Sequence, residues 1–542
     1  MVVESRVLLD AAVLTRCRHR VALENDPAHT VARPDGPVDP GVLQRQAEAA
    51  SHRAAVGQRL RVGAAEGGTS WVDVPTDLPM GERERRTVAA LGSGAERVWG
   101  AVLPRDLDAG RRGSAELLVR RGSGWVPVLV VNHRVTDPGS GARTTGLHHW
   151  APAVDTARTP RSHPRDQLRL AHLTRLLEHA GHAAEEQVGG VVGLDGDCVL
   201  VHDLAAPSWP PTVDDPLPHS TLAEHDARFA DRRAVADGLV PTVARRIGEC
   251  RTCPWWPHCS VELTQAQDVS LVVRGGQVST LQALGVLTVD GLAAWTGPAP
   301  QTWRGSSFAD AVVLARAWLV DAPLVRRGPV RIHRADVEVD VDMESYLEHG
   351  AYLWGALLTE DGRAADYRPF ATWEPLPTPD EGRSFGEFWT WLCEVRAEAA
   401  VRGRTFAAYC YSKAAENRWL LSSAVRFAGQ PGVPSVAEVR AFIGSEQWVD
   451  VYEAVGASFL CPRGKGLKKV APVAGFAWRD AEAGGEASMG WYRRAVGLDG
   501  EPDLVQRQRL LDYNADDVGA TKALREWMSS PAVLDVPLAG EL

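Results

Sequence analysis

The sequence predicts a multidomain α/β protein, on three observations. Its 542 residues exceed what one hydrophobic core organises, and ordinary domain sizes imply about three or four domains. Strand-like and helix-like apolar patterns are interleaved along the chain. Two stretches rich in proline and glycine, 206–220 and 297–329, interrupt those patterns as linkers would. The expected divisions are therefore an α/β core at 1–205, a helical segment with a cysteine cluster at 206–265, a helical region and linker at 266–325, and a second α/β domain at 326–542.

Composition narrows the class. Hydrophobic content of 45% with charged content of 24% is that of a globular protein in water. The longest apolar run, Val126–Val131, is far too short to cross a bilayer. The first twenty residues carry Glu4, Asp10 and several arginines, unlike a secretory signal, so a cytoplasmic chain with reduced cysteines is expected. A net charge of −10 argues against a generally basic nucleic-acid coat and leaves room for local basic patches.

In order along the chain, "AELLVRRGSGWVPVLVVNHRV" predicts two strands, Ala115–Arg120 and Trp125–Val135, around a Gly-Ser-Gly turn. "RDQLRLAHLTRLLEHAG" predicts an amphipathic helix ending at Gly181, with Leu168, Leu170, Leu173, Leu176 and Leu177 on its apolar side. A helical stretch over 221–248 leads into the cysteines. Residues 266–295 predict short helices around Gly275–Gly276, a turn that either presents backbone N–H groups to a phosphate or simply packs. "RIHRADVEVDVDMES" opens the last domain with an alternating strand, "AYLWGALL" supplies a second and Thr405–Tyr411 a third. The closing helix contains "YNADDVGATKALREWM".

"ECRTCPWWPHCS" places Cys250, Cys253 and Cys259 within ten residues. Reduced thiols at C-x2-C-x5-C spacing point to a metal or cluster, and either needs a fourth ligand. Cys17, among short polar residues at an apparent helix start, is the best candidate. Zinc and an iron–sulfur cluster both remain open on thiolate count alone. Cys198, Cys393, Cys410 and Cys461 are scattered and read as structural.

A lone N-terminal cysteine followed by arginine, with a distant C-x2-C-x5-C, resembles the iron–sulfur clip of RecB-like nucleases, whose core is of restriction-endonuclease type. The resemblance implies a 4Fe-4S cluster on Cys17, Cys250, Cys253 and Cys259 that joins the first helix to the segment after the core. Closing so long a loop would remove about 5 kcal/mol of unfolded-state entropy. The resemblance also implies GxxD, ExK and QxxxY motifs, and here the chain departs from it. "GSAE" supplies Glu116 in place of Asp, "VVNHR" puts Asn132 and Arg134 where the acid and lysine belong, and "QLRLAHL" supplies Gln167 with Leu173 at the tyrosine position. Asparagine is neutral and arginine stays protonated, so this pocket is expected to be weak or inactive. His133, between them, reads as structural, with rescue of metal binding as its other role.

"DVEVDVDMES" alternates valines with Glu338, Asp340, Asp342 and Glu344, so four carboxylates share one strand face. Like charges so spaced repel unless solvated or neutralised by a cation. Either this is an edge strand with a wet acidic face, or Asp342 and Glu344 at its end belong to a metal site. Tyr513 and Asp517, four residues apart, share one helix face. Asp516 reads as a first-turn residue favoured by the helix dipole.

Asp-x-Glu on a first strand and Tyr-x3-Asp on a last helix resemble the tyrosine-bearing branch of the DEDD exonucleases, which have an RNase H-like fold. "YCYSKAAENRWLL" offers Glu416 as the middle acid. The resemblance implies Mg²⁺ or Mn²⁺ held by Asp342, Glu344, Glu416 and Asp517, with Asp342 shared between two ions and Tyr513 positioning the attacking water. "GLKKVAPVAGFAW" resembles the connection in bacterial RecB-like proteins that carry such a domain, so a two-part architecture spans the chain. "RGKGLKK" (463–469) is a basic loop suited either to nucleic acid or to solvent.

The expected function is a cytoplasmic, metal-dependent nuclease cutting single-stranded DNA or RNA from the 3′ end, its N-terminal module gripping nucleic acid. The alternative is a non-catalytic nucleic-acid-binding scaffold for a separate helicase, since the chain has no GxxxxGK[ST] loop of its own.

Overall fold

The computed structural model describes residues 7–25, 40–161, 163–211, 217–360, 363–482 and 484–542. They fall into two compact units that divide between Glu262 and Leu263.

The first unit is built on eight strands: β1 (Trp71–Asp73), β2 (Arg97–Val102), β3 (Ser114–Arg121), β4 (Gly124–Val130), β5 (Ala142–Gly146), β6 (Ala153–Asp155), β7 (Val188–Val192) and β8 (Cys198–Asp203). Their order in the sheet is β1-β2-β3-β4-β7-β8-β5-β6. β3 and β4 form the expected hairpin, turning at Gly122 with φ 58°, a conformation glycine adopts without strain. β4 is buried along its whole length and runs parallel to β7, which accounts for its unbroken apolar run. Helix α1 is Arg18–Asn25 and α2 is Pro164–His179, with proline pre-set at its first turn. α2 lays Leu170, Leu173, Leu176 and Leu177 onto the sheet, and Leu168 packs against Leu14 and Val21; all five are buried.

Several boundaries differ from expectation. The strand predicted to reach Val135 ends at Val130, because the Asp195 carboxylate captures the backbone N–H groups of Val135 (3.1 Å) and Thr136 (2.8 Å) and bends the chain. The helix predicted over 221–248 stops at Ala236; α3 (Thr221–Ala236) is followed by Asp237 and by Gly238 with φ 70°, a helix-terminating conformation. Within the first linker, Pro207–Trp209 pairs with His219–Ser220; residues 212–216 lie outside the described residues. Inside the second, Phe308–Leu319 is a helix, capped by Ser307 and burying Phe308, Ala311, Val312 and Ala315. A buried apolar stripe outweighs the flanking prolines and glycines there.

The second unit contains a five-stranded sheet: β9 (Val337–Tyr346), β10 (Gly350–Glu360), β11 (Asp366–Ala371), β12 (Phe406–Cys410) and β13 (Trp448–Asp450), in the order β11-β10-β9-β12-β13. β9, β10 and β11 are antiparallel neighbours, while β12 and β13 add on in parallel. The acidic strand β9 is thus central, and the edge-strand reading is overturned. Helix α4 (Asp380–Val401) covers one face with Phe385, Phe388, Trp391 and Leu392 against Trp354 and the β9 valines. α5 (Lys413–Arg426) follows β12, and α6 (Leu504–Met528) runs across the carboxylate face of β9.

Candidate metal centre

β9 pairs with β10 along its whole length but with β12 only from Val337 to Asp340. Asp342 and Glu344 therefore lie beyond the parallel pairing, at the open C-terminal end of the central strand, where α/β sheets commonly bind ligands. α6 reaches this face with residues four apart. Arg525, fully buried, donates from Nε and Nη2 to the two Asp340 oxygens at 2.9 and 2.8 Å and from Nη1 to Glu338. Glu338 also accepts from Arg334 (2.6 and 2.8 Å) and from the Tyr409 hydroxyl (2.8 Å). Although burial opposes ionisation, these partners hold Glu338 down at about 2. Half of the acidic face is thus neutralised by guanidinium groups instead of water.

The other half accepts from no guanidinium among the described residues. One carboxylate oxygen each from Asp342, Glu344 and Asp517 lie within 4.8 Å of one another. Burial pushes Asp342 well above the usual carboxylate range, and the charges of Asp517, Glu344 and Glu416 push it further. Burial and Asp517 raise Glu344 to about 8, against the opposing pull of Lys468. Asp517 is raised chiefly by burial, and the Trp478 indole N–H, which donates to it at 2.7 Å, partly offsets the rise.

Glu416 enters from the first turn of α5. Its turn is set by Ser412, with φ 76°, and by Asp450, whose carboxylate accepts the N–H groups of Ser412 (3.1 Å) and Lys413 (3.0 Å). Glu416 stands outside the trio within 4.8 Å, yet it is buried and its Oε2 has no hydrogen-bond partner among the described residues. Burial raises it to about 8 as well. Tyr513 is buried beside Asp517, and its phenol is pushed upward by burial and by the charges of Glu344, Asp517 and Asp342.

Sequence reasoning missed the groups that hold this centre. Tyr367 donates to Asn514 Oδ1 (2.8 Å), which fixes the amide so that its Nδ2 donates to Asp342 Oδ2 (2.8 Å). Asn514 has room because Gly355 stands opposite Asp342 in β10; a Cβ there would lie 1.5 Å from Asn514 Oδ1. Arg525, eight residues on from Asp517 in one helix, carries a spacing that could have placed it on the same face; Tyr367, Trp478 and Asp450 come from distant segments with no local signal. Asp516 is not in a first turn: it lies mid-helix and accepts from the Arg479 N–H (2.9 Å) and Nε (2.7 Å). In the basic loop, Lys468 stands 4.7 Å from the Tyr513 ring centroid, and Lys465 3.9 Å from that of Tyr452.

In the first unit, Cys17, Cys250, Cys253 and Cys259 line one small cavity with Arg20, Trp255 and Trp256. Glu249 holds the two segments together, accepting the Cys17 N–H at 2.6 Å and Arg20 at 2.8 Å. Burial, then the nearby sulfurs of Cys253, Cys17 and Cys250, push the Cys259 thiol up to about 12. Of the other cysteines, Cys198 and Cys410 are buried, Cys461 is partly buried and Cys393 is exposed. Of the positions matched to nuclease motifs, Glu116 and Arg134 are engaged in ion pairs, while Glu116 Oε2 has no hydrogen-bond partner among the described residues. Glu116 accepts from Arg169 (2.7 Å), Arg134 donates to Asp195 (3.1 Å), and Asn132 and Leu173 line a cavity of about 830 Å³.

No helix among the described residues is long and apolar enough to cross a membrane. Comparison with known proteins returns one family model, described as RNase_H superfamily, over residues 428–529. That span includes Tyr513 and Asp517 but not Asp342, Glu344 or Glu416. No curated protein and no solved structure matches the chain. With the strand order of the second unit, the match identifies an RNase H-like domain in the C-terminal part of a mixed α/β, multidomain chain, and such a domain points to nuclease-type cleavage of phosphodiester bonds.

Proposed function

We propose that the chain is a metal-dependent 3′–5′ exonuclease acting on single-stranded DNA or RNA through Asp342, Glu344, Glu416, Tyr513 and Asp517. The observation that carries this reading is the division of the acidic face. Arg525 neutralises Glu338 and Asp340, whereas Asp342, Glu344 and Asp517 are brought within 4.8 Å with no guanidinium among them. An all-oxygen donor set suits hard ions such as Mg²⁺ and Mn²⁺, and the buried, unpartnered Glu416 oxygen fits the same centre. Bound there, two such ions supply a polarised water and a counter-charge for the leaving 3′ oxygen. Asp342, Glu344 and Asp517 would hold these ions, and Glu416 would complete their ligand set. Asn514 and Tyr367 keep Asp342 in one orientation, Trp478 does the same for Asp517, and Tyr513 aims the attacking water. Lys468, beside Tyr513, meets the incoming phosphate. Purified protein with Mn²⁺ should shorten a 5′-labelled single strand stepwise and release single nucleotides from a 3′-labelled one. Internal cuts alone would reject the exonuclease reading.

The first unit, in this reading, is a RecB-like core with a worn site and a 4Fe-4S clip. Tetrahedral zinc would draw its sulfurs to about 3.8 Å from one another. The four thiols that line one cavity supply the ligand set that a four-iron cluster takes, one sulfur to each iron. Anaerobically purified protein should be brown, and a colourless protein with stoichiometric zinc would exclude the cluster. Glu116→Ala should leave cleavage nearly unchanged, because Asn132 and Arg134 already remove the usual partners of that carboxylate.

A further inference from the structure

A second group of metal-ligating side chains lies in the first unit, on residues other than the cysteines and next to the nuclease-motif positions Asn132, Arg134 and Gln167. His133 follows β4, His163 immediately precedes α2, and Asp166 lies in the first turn of α2. One ligand atom from each falls within 4.8 Å of the other two. His133 Nε2 is 2.8 Å from Asp166 Oδ2, and the His133 and His163 rings stand with centroids 4.0 Å apart. A third imidazole, His202 on β8, is close enough that Asp166 and His163 act on it electrostatically, while burial holds it neutral, down at about 4.

A histidine–aspartate hydrogen bond needs one imidazole. Here a second sits against the first and a third lies nearby, which an ordinary core pair does not require. The separations suit coordination, since metal–nitrogen and metal–oxygen bonds near 2.0–2.1 Å in a tetrahedral shell place ligand atoms about 3.3 Å apart. His133 and Asp166 would open by only about half an ångström to take up that bite. Two imidazoles and one carboxylate select a borderline transition metal such as zinc or cobalt over Mg²⁺ or Ca²⁺, and three protein ligands leave a position free. His133 and Asp166 line the 830 Å³ cavity together with Asn132, Arg112, Arg165 and Arg169, so that free position faces an arginine-rich space.

We propose that His133, His163 and Asp166 form a divalent transition-metal site whose open position faces this cavity and accepts an anionic, phosphate-class ligand. The site is independent of the carboxylate centre in the second unit.

Cobalt(II) is the probe, because its spectrum separates nitrogen–oxygen sites from thiolate sites. Full-length protein, freed of metal and titrated with Co²⁺, should show weak visible bands from one equivalent that carry no thiolate charge-transfer absorption. His163→Gln leaves the His133–Asp166 bond in place and should bind one equivalent fewer, with any thiolate absorption retained. Asp166→Asn should behave in the same way. Addition of inorganic phosphate should perturb the visible bands of the parent. Equal cobalt binding by parent and variants, or a parent spectrum made only of thiolate bands, overturns the site. An unresponsive spectrum on phosphate addition overturns the open position. Because the carboxylate centre would also take Co²⁺, the same titration in an Asp342→Asn, Asp517→Asn background isolates this site, and its spectrum decides the matter even where a His163 variant folds poorly.

Discussion

Arg525 Nε and Nη2 grip Asp340 at 2.9 and 2.8 Å, and this one pairing divides the acidic strand β9 into a silent half and a reactive half. Without it only Glu338, held by Arg334 and Tyr409, would be compensated on this face. With it, the charge left uncompensated is confined to Asp342 and Glu344, where Asp517 joins them.

Asp342→Asn keeps the shape and the contact with Asn514 but removes one ligand charge. Cleavage should fall by roughly 10²–10³, the usual cost of losing one electrostatic group at a reacting centre. Affinity for a single strand, read by fluorescence anisotropy, should stay within about twofold, because phosphate contacts come chiefly from basic groups. Undiminished cleavage would remove the exonuclease assignment.

Arg525→Met should destabilise the second unit by about 3–5 kcal/mol, since it strands the buried Asp340 carboxylate and removes one partner of Glu338. Hydrogen exchange of the β9 amides should accelerate accordingly. Adding Glu338→Gln and Asp340→Asn should recover much of the loss. If the single variant exchanges like the parent, the buried guanidinium is not what neutralises this face.

Gly355→Ala places a methyl group where Asn514 Oδ1 sits, 1.5 Å from it in the parent backbone. The amide must move, and Asp342 loses its orienting donor. Activity of Gly355→Ala and of Asn514→Ala should fall together, with the double variant no worse than either single one, because both remove the same contact. Additive losses would show that Gly355 acts in some other way.

Metal-free protein should carry a pH signature. Folding raises Glu344 from 4.5 to about 8, so its folded form favours the proton. The stability this contributes is complete below the unfolded value of 4.5 and is lost as pH rises through about 8. Glu344→Gln lacks this dependence. In the presence of chelator, the variant should therefore gain on the parent in thermal unfolding between about pH 5 and about pH 8, and Mn²⁺ should reverse the gap. A gap that stays constant with pH would place Glu344 in water.

Much of this was legible in the chain itself. Strand periodicity placed Glu338, Asp340, Asp342 and Glu344 on one face, and helical spacing placed Tyr513 and Asp517 on another, because backbone geometry alone sets periods of 2.0 and 3.6. The leucine stripe of α2 and the start of α1 beside Cys17 followed from the same local rules. What periodicity leaves open is which face is covered and by what. The acidic face suited water on an edge strand as well as it suited a metal, until β12 and β10 flanked β9 and α6 crossed it. The choice between charge-neutralised and metal-ready carboxylates rests on Arg525, 185 residues from Asp340. Asp342 is oriented by Asn514 and Tyr367, and Glu416 is turned inward by Asp450; each partner is distant in sequence and met only through the sheet order. Local spacing determined the residues that can do the chemistry. Long-range packing decided which of them meet a guanidinium and which meet only one another, since burial and compensation of charge belong to the folded neighbourhood and not to the segment.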